Sequence, residues 1–284
     1  MYAKCCALPE ARDSFFELPE RNVVSWNTMI SGYAEYGPRT HALQCFEQMK
    51  FEGFSPNDAT IASMFKVCGA MEAYSKGHEI HMMLLMLKNK KDKNDDGCGA
   101  DDDGLCHDDS EIGLCVGNAL IGMYSRRGGS CEAARVVFDG LVDRDVVSWT
   151  ALISGFAEHG LGNEGIKCWE QMQLKGVSPN AITFVNTLGA CASIRDSDKG
   201  EEIHAEIERK GLISRNPYIH SSLVAMYAKC RCLLDAQEVF NKLTLSDSIS
   251  WTALMVGYSE YGYEEKSLSL FEAHGYVLIS FILI

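Results

Sequence analysis

The chain has 284 residues, 46% of them hydrophobic, 23% charged and only six of them proline, with a formal net charge of −13. That is a globular composition, which excludes a disordered or collagen-like chain. The acidic balance excludes a purely electrostatic coat on DNA or RNA, while leaving room for local contacts in a groove.

From the N-terminus, the chain opens on MYAKCCALPEARDSFF at 1–16, which returns as MYSRRGGSCEAARVVF at 123–138 and MYAKCRCLLDAQEVF at 226–240. VVSWNTMISGYAEYG at 23–37 follows, and returns as VVSWTALISGFAEHG at 146–160 and SISWTALMVGYSEYG at 248–262. Trp26, Trp149 and Trp251 are thereby 123 and 102 residues apart. Such self-similarity marks stacked supersecondary units. In chain order the units are 1–22 (incomplete), 23–57, 58–113, 114–145, 146–180, 181–216, 217–247 and 248–272 (incomplete), with a divergent apolar tail at 273–284. The incomplete ends are expected to reflect truncation.

Each unit carries two amphipathic stretches. In 146–180, Trp149, Leu152, Ile153 and Phe156 recur at helical spacing, as do Ile166, Trp169 and Met172 beyond a Gly-containing break. Pro179 is read as closing the second helix. One helical hairpin cannot bury both apolar faces, but a stack of them can. The expected fold is all-α, an α-solenoid of helix–turn–helix units with essentially no strand. Unit 58–113 exceeds its later counterpart by about twenty residues. The surplus falls at 88–111, with nine acids, four lysines and no apolar period, and is read as a solvated insert.

These residues resemble a plant pentatricopeptide-repeat protein of the class that alternates P, L and S repeats. The likeness rests on VVSWNTMISGYAEYG with ALQCFEQM and SPN for the P type (23–57, 146–180). It rests on TFVNTLGACASIRDSDKGEEIHAEI for the L type (58–113, 181–216), and on VGNALIGMYSRRG with EAARVVFDGLVDRD for the S type (114–145, 217–247). The resemblance implies a right-handed superhelix that binds single-stranded organellar RNA at one base per repeat, read by a repeat's fifth and last residues. The pairs here are Asn27 with Asn57, Asn118 with Asp145, Thr150 with Asn180, and Ser221 with Asp247; Thr252 and Asn22 each lack a partner. In the family's code these favour cytidine, uridine, adenosine and guanosine in turn. Ala62 and Val185 hold the fifth position in the L repeats, where an apolar side chain reads no edge. The implied element is 5′-C-n-U-A-n-G-3′. Asn, Asp and Thr also suit helix N-termini, so capping is a competing reading of the same residues.

Other constellations weigh less. His204-Ala-Glu206 matches half of a zinc-deaminase signature, but no Pro-Cys-x-x-Cys follows, and many relatives carry such a domain that this chain lacks. His78 and His81 are three apart, one short of a zinc-protease pair. Asp92 to Asp103 resembles a Ca²⁺ loop without its closing Glu, and Cys98, Cys106, His107 and Cys115 match no zinc spacing. Cys45 and Cys168, Cys68 and Cys191, and Cys5 and Cys230 pair by repeat register, which suggests small buried apolar residues rather than disulfides. No cofactor or metal is expected, and no enzyme. The expected partner is single-stranded RNA in a mitochondrion or chloroplast, with editing-complex proteins, and neither membrane nor DNA. The role is recognition for C-to-U editing or processing. A protein-binding scaffold and a non-functional gene fragment remain the alternatives.

Overall fold

The computed structural model describes residues 8–92, 113–213, 216–242 and 248–272. Among them there is no strand. The chain runs α1 (Leu8–Phe16), α2 (Val23–Tyr36), α3 (Arg39–Phe51), α4 (Asp58–Ala70), α5 (Tyr74–Asp92), α6 (Leu114–Tyr124) and α7 (Cys131–Asp139). It continues with α8 (Val146–Glu158), α9 (Gly162–Leu174), α10 (Ala181–Ile194), α11 (Ser197–Arg209), α12 (Pro217–Lys229), α13 (Leu233–Asn241) and α14 (Ser248–Glu260). A last helix, α15, covers 264–272. The contacts divide the chain into two compact units, Met1–Gly155 and Phe156–Ile284.

Each unit is built in two layers. The first helices of successive hairpins pack on one another, α2 on α4 and α4 on α6 in the first unit, α10 on α12 and α12 on α14 in the second. Each second helix lies on its own first helix and on the next, as α3 does on α2 and α4, and α13 on α12 and α14. The apolar period explains the layering. In α4, Ile61, Met64, Phe65 and Cys68 are all buried, because its neighbours cover most of its circumference. An aromatic pair recurs where a second helix meets the next first helix. Phe15–Trp26, Phe138–Trp149 and Phe240–Trp251 stand edge-on with ring centroids 4.6, 4.6 and 4.8 Å apart, an orientation that aligns the ring quadrupoles.

Two local readings need correction. Pro179 does not close a helix: α9 ends at Leu174, and Gly176 takes a left-handed φ of +74° while the Val177 amide donates back to the Met172 carbonyl. The Gly terminates the helix because it adopts this conformation without a Cβ penalty; Gly53 does the same after α3. The second difference lies at 88–92, read as the start of the insert, which instead extends α5 to Asp92. Lysine is a good helix former, so a polar sequence can prolong the helix. The rest of that insert, with the Ca²⁺-like loop beyond Asp92 and Cys98, Cys106 and His107, lies outside the described residues, as does Cys5.

Candidate nucleic-acid interface

Several of the first helices begin on side-chain caps, although α6 starts on Gly113 without one. Asn22, Asn57, Asp145 and Asn180 precede α2, α4, α8 and α10, and each accepts from the backbone amide three residues on, at 2.9, 3.1, 2.9 and 2.9 Å. Ser25, Thr60, Ser148 and Thr183 reach back to the cap's own N–H, completing a reciprocal box. Capping alone thus accounts for Asn or Asp at these positions.

It does not account for the fifth residues. Asn27 Nδ2 donates to Asn57 Oδ1 at 2.8 Å, and Asn118 Nδ2 donates to Asp145 Oδ1 at 3.1 Å. Both amides come from mid-helix, a poor place for Asn, and each meets the cap of the following first helix. The acceptors fix the orientations. A carboxylate can only accept, and Asn57 Oδ1 already takes the Thr60 amide, so the facing atom must be Nδ2 in both pairs. The carbonyl ends differ. Asn27 Oδ1 is engaged by the Thr60 hydroxyl. Asn118 Oδ1 is buried and has no hydrogen-bond partner among the described residues, which leaves a strong acceptor open to any donor that enters. Burial would raise the Asp145 pKa, but hydrogen bonds from Ser148, Asn118 and the Val147 amide together hold it below the usual value. Asp145 is therefore ionised at neutral pH and orients Asn118 by a charge-assisted bond.

The other sequence-derived residues fall differently. Asn180 caps α10, while Thr150 is half-buried on α8 in the other unit. Ser221 is buried, and its hydroxyl donates to carbonyls of its own helix, Tyr218 at 3.2 Å and Pro217 at 3.4 Å. Thr252 is exposed and donates to the Ser248 carbonyl at 2.7 Å. Asp247 lies outside the described residues. Ala62 is buried and Val185 half-buried.

The sequence reading missed one recurring feature. The second residue of most first helices is a large, exposed apolar side chain: Val24 70%, Val147 52%, Ile182 62%, Tyr218 66% and Ile249 56%. Cys115 holds the same place on α6 and is also exposed. Isolated surface aliphatics mean little, but their recurrence at one register within each unit marks a contact surface there. The signal was legible as an apolar residue that breaks the buried helical period at the same offset each time.

Around Asn118 the first helices leave a groove of about 410 Å³. Its walls include Phe65 and Lys66 from α4, Cys115 and Asn118 from α6, Arg126, and Val147 from α8. The combination is apolar sides, one polar pair and two cations.

The histidine motifs are structural in the described residues. His78 and His81 both place Nδ1 on the Tyr124 hydroxyl, at 3.1 and 3.2 Å, and His204 meets Tyr227 at 2.9 Å. Glu206 accepts from Gln173 at 2.7 Å and faces Lys210 at 3.4 Å. No group of three or more metal-ligating side chains occurs among the described residues. Cys68, Cys168 and Cys191 are buried, Cys45 is half-buried, and every described cysteine is a free thiol. Burial pushes Cys68 up to about 11 and Cys191 up to about 12, which keeps both protonated and unreactive. No described helix is long and apolar enough to cross a membrane.

Comparison with known proteins places the chain by sequence and by fold. A model of the PPR repeat family matches residues 21–70 and 144–193, and a PPR repeat model matches 218–247 and 249–273, together more than half of the chain. A putative mitochondrial pentatricopeptide repeat-containing protein of Arabidopsis thaliana is 33% identical over 95% of the chain and 39% of its own length. A chloroplastic pentatricopeptide repeat-containing protein of the same plant is 32% identical over 95% of the chain and 31% of its own length. The chain thus spans about two fifths or less of these relatives. Among solved structures, the pentatricopeptide repeat protein PPR10 in complex with an 18-nucleotide psaJ RNA element aligns over 95% of the chain and 37% of its own. Its TM-score is 0.67 and its identity 20%. The pentatricopeptide repeat protein PPR10 from maize aligns over 96% of the chain and 42% of its own, with a TM-score of 0.55 and an identity of 20%.

Proposed function

The chain belongs to the pentatricopeptide-repeat family, and from that premise we propose that it binds single-stranded RNA with sequence selectivity, one base per repeat. The observation that carries this reading is the paired amide. Asn27–Asn57 and Asn118–Asp145 each join a mid-helix amide to the next helix cap, a link that the helices do not need for their own stability. It presents a fixed polar edge beside the exposed second residues. A base would rest its face on Val24, Cys115 or Val147 and present its Watson–Crick edge to the pair, because single-stranded bases expose both. Repeats of the P, L and S types, bounded at 23, 58, 114, 146, 181 and 217, set the spacing. Thr150 with Asn180, Ser221 with Asp247, and Thr252 are assigned the same role, with Ser221 needing to rotate out of its buried hydrogen bonds.

The proposed setting is a mitochondrion or chloroplast, as the names of the relatives suggest. The proposed role is recognition for C-to-U editing or for RNA processing, with catalysis supplied by partner proteins. Direct binding tests this. The purified chain should retain an RNA carrying 5′-C-n-U-A-n-G-3′ more tightly than a scrambled RNA of equal length. Equal binding of both RNAs, or of neither, contradicts it.

A further inference from the structure

We propose that Lys66 and Arg126 clamp a backbone phosphate of the nucleotide whose base meets Asn118 and Asp145, so that this one groove anchors the strand. The inference rests on the RNA-binding reading above and names where on the surface its electrostatic contribution is concentrated.

Four observations support it. Lys66 and Arg126 line the same 410 Å³ groove as Asn118. Both side chains are exposed, and neither forms an ion pair or hydrogen bond among the described residues. Three lysines of the second helices, by contrast, face carboxylates: Lys76 meets Glu47 at 2.9 Å, Lys167 meets Glu164 at 2.8 Å, and Lys199 meets Glu170 at 2.9 Å. Gly69 gives the Arg126 side chain room against α4. It lies one turn beyond Lys66 on the same face of α4, and a methyl there would come within 3.3 Å of Arg126 Cδ. The Arg126 side chain therefore lies across the bare backbone of α4, on the side from which Lys66 projects.

The counterpart in the second unit lacks this construction. Register places Gly189 where Lys66 stands, Ala192 where Gly69 stands and Lys229 where Arg126 stands. One cation is gone, and a side chain occupies the bare turn. On a chain of net charge −13, each local phosphate contact matters more, because binding gains from counterions released by each neutralised phosphate. Two unpaired cations beside a buried, open acceptor fit a nucleotide unit: phosphate at the mouth, base edge inside.

The test compares wild type with Lys66→Gln/Arg126→Gln and with Arg39→Gln, a control on α3 outside the groove. RNA affinity is measured across a salt series, for elements with U or C at the third base. Losing the one clamped phosphate should make the slope of log affinity against log salt shallower by about 0.7. Affinity should fall about equally for both RNAs, because a phosphate contact carries no sequence information, while the control keeps the wild-type slope. An unchanged slope in the double variant overturns the clamp while leaving RNA binding intact. A wild type that binds no RNA overturns both readings. Uridine 5′-monophosphate is the competitor that separates a strand phosphate from a free nucleotide. Failure of the mononucleotide to displace RNA at millimolar concentration is expected. Displacement that the double variant abolishes would make this a mononucleotide site and contradict the strand clamp.

Discussion

The helix pair α4 and α6 in the first unit and the pair α10 and α12 in the second are built to one plan, yet they present different surfaces. Both bury the same kind of face, Phe65 against Phe184 and Cys68 against Cys191 in register. Both fit a bare glycine, Gly77 or Gly200, against a methionine of the next first helix, Met123 or Met226. Outward the two part. The first presents Lys66, Asn118 and Arg126 around an open groove, while the second has Gly189, Ser221 turned into its own helix, and Lys229. Packing constrains the inner face at every repeat, because a lost methylene there leaves a cavity. The outer positions bear no such constraint, so each repeat can carry its own chemistry there.

The largest effect should fall where the units agree. Phe138→Ala and Phe240→Ala each remove half of a buried Phe–Trp pair. Each should cost about 3–5 kcal/mol in chemical denaturation, and a loss confined to one would break the equivalence of the two. Smaller and unequal losses are expected at the caps. Asn180→Ala should cost about 1 kcal/mol. Asn57→Ala should cost more, since it also strands the Asn27 amide. Thermal melts that rank them in the opposite order would contradict the paired-amide geometry.

Acid should separate the units further. His81 has its pKa lowered by burial and then by neighbouring His78, and His204 by burial, partly offset by Glu208. In both cases the folded state favours the neutral ring. The stability is therefore complete above the unfolded pKa of about 6.5 and is lost as pH falls through the lowered folded value. Among the described residues, no carboxylate compensates His81 as Glu208, 3.6 Å away, compensates His204. His81→Gln should thus remove more of the acid sensitivity between pH 7.5 and 5 than His204→Gln, as read from melting temperatures. Smallest of all is the effect of deleting 93–111. The second unit joins α11 to α12 through 210–216 alone, and loop closure changes only slowly with length. Deletion should shift unfolding by about 1 kcal/mol or less; a large loss would show that the segment contributes to the packing.

Much of this was legible in the residues. The tryptophan register and the two apolar stretches per unit lead directly to hairpins stacked in layers, since burial forces that period. Helix ends were harder. Pro179 drew attention as a breaker, whereas the left-handed Gly176 did the terminating, a backbone choice that periodicity does not report. The residues proposed to read bases were placed by family likeness, and their linkage, Asn27 to Asn57 and Asn118 to Asp145, needed coordinates because partners 30 and 27 residues apart meet only through the stack. The exposed apolar second residues, Val24 and Val147 in one unit and Ile182, Tyr218 and Ile249 in the other, were overlooked because isolated exposed aliphatics look like noise until their common register is visible.

The account stands on the fifth and last residues choosing the base. Asp145→Asn tests this most directly, because Asn caps a helix about as well as Asp and keeps an oxygen for the Asn118 amide, so the fold should survive. Equilibrium binding of both proteins to the U and C versions of 5′-C-n-U-A-n-G-3′ is the measurement. Wild type should prefer U at the third base and the variant should shift toward C, with the other positions unchanged. The same preference in both proteins would remove Asn118 and Asp145 from base reading.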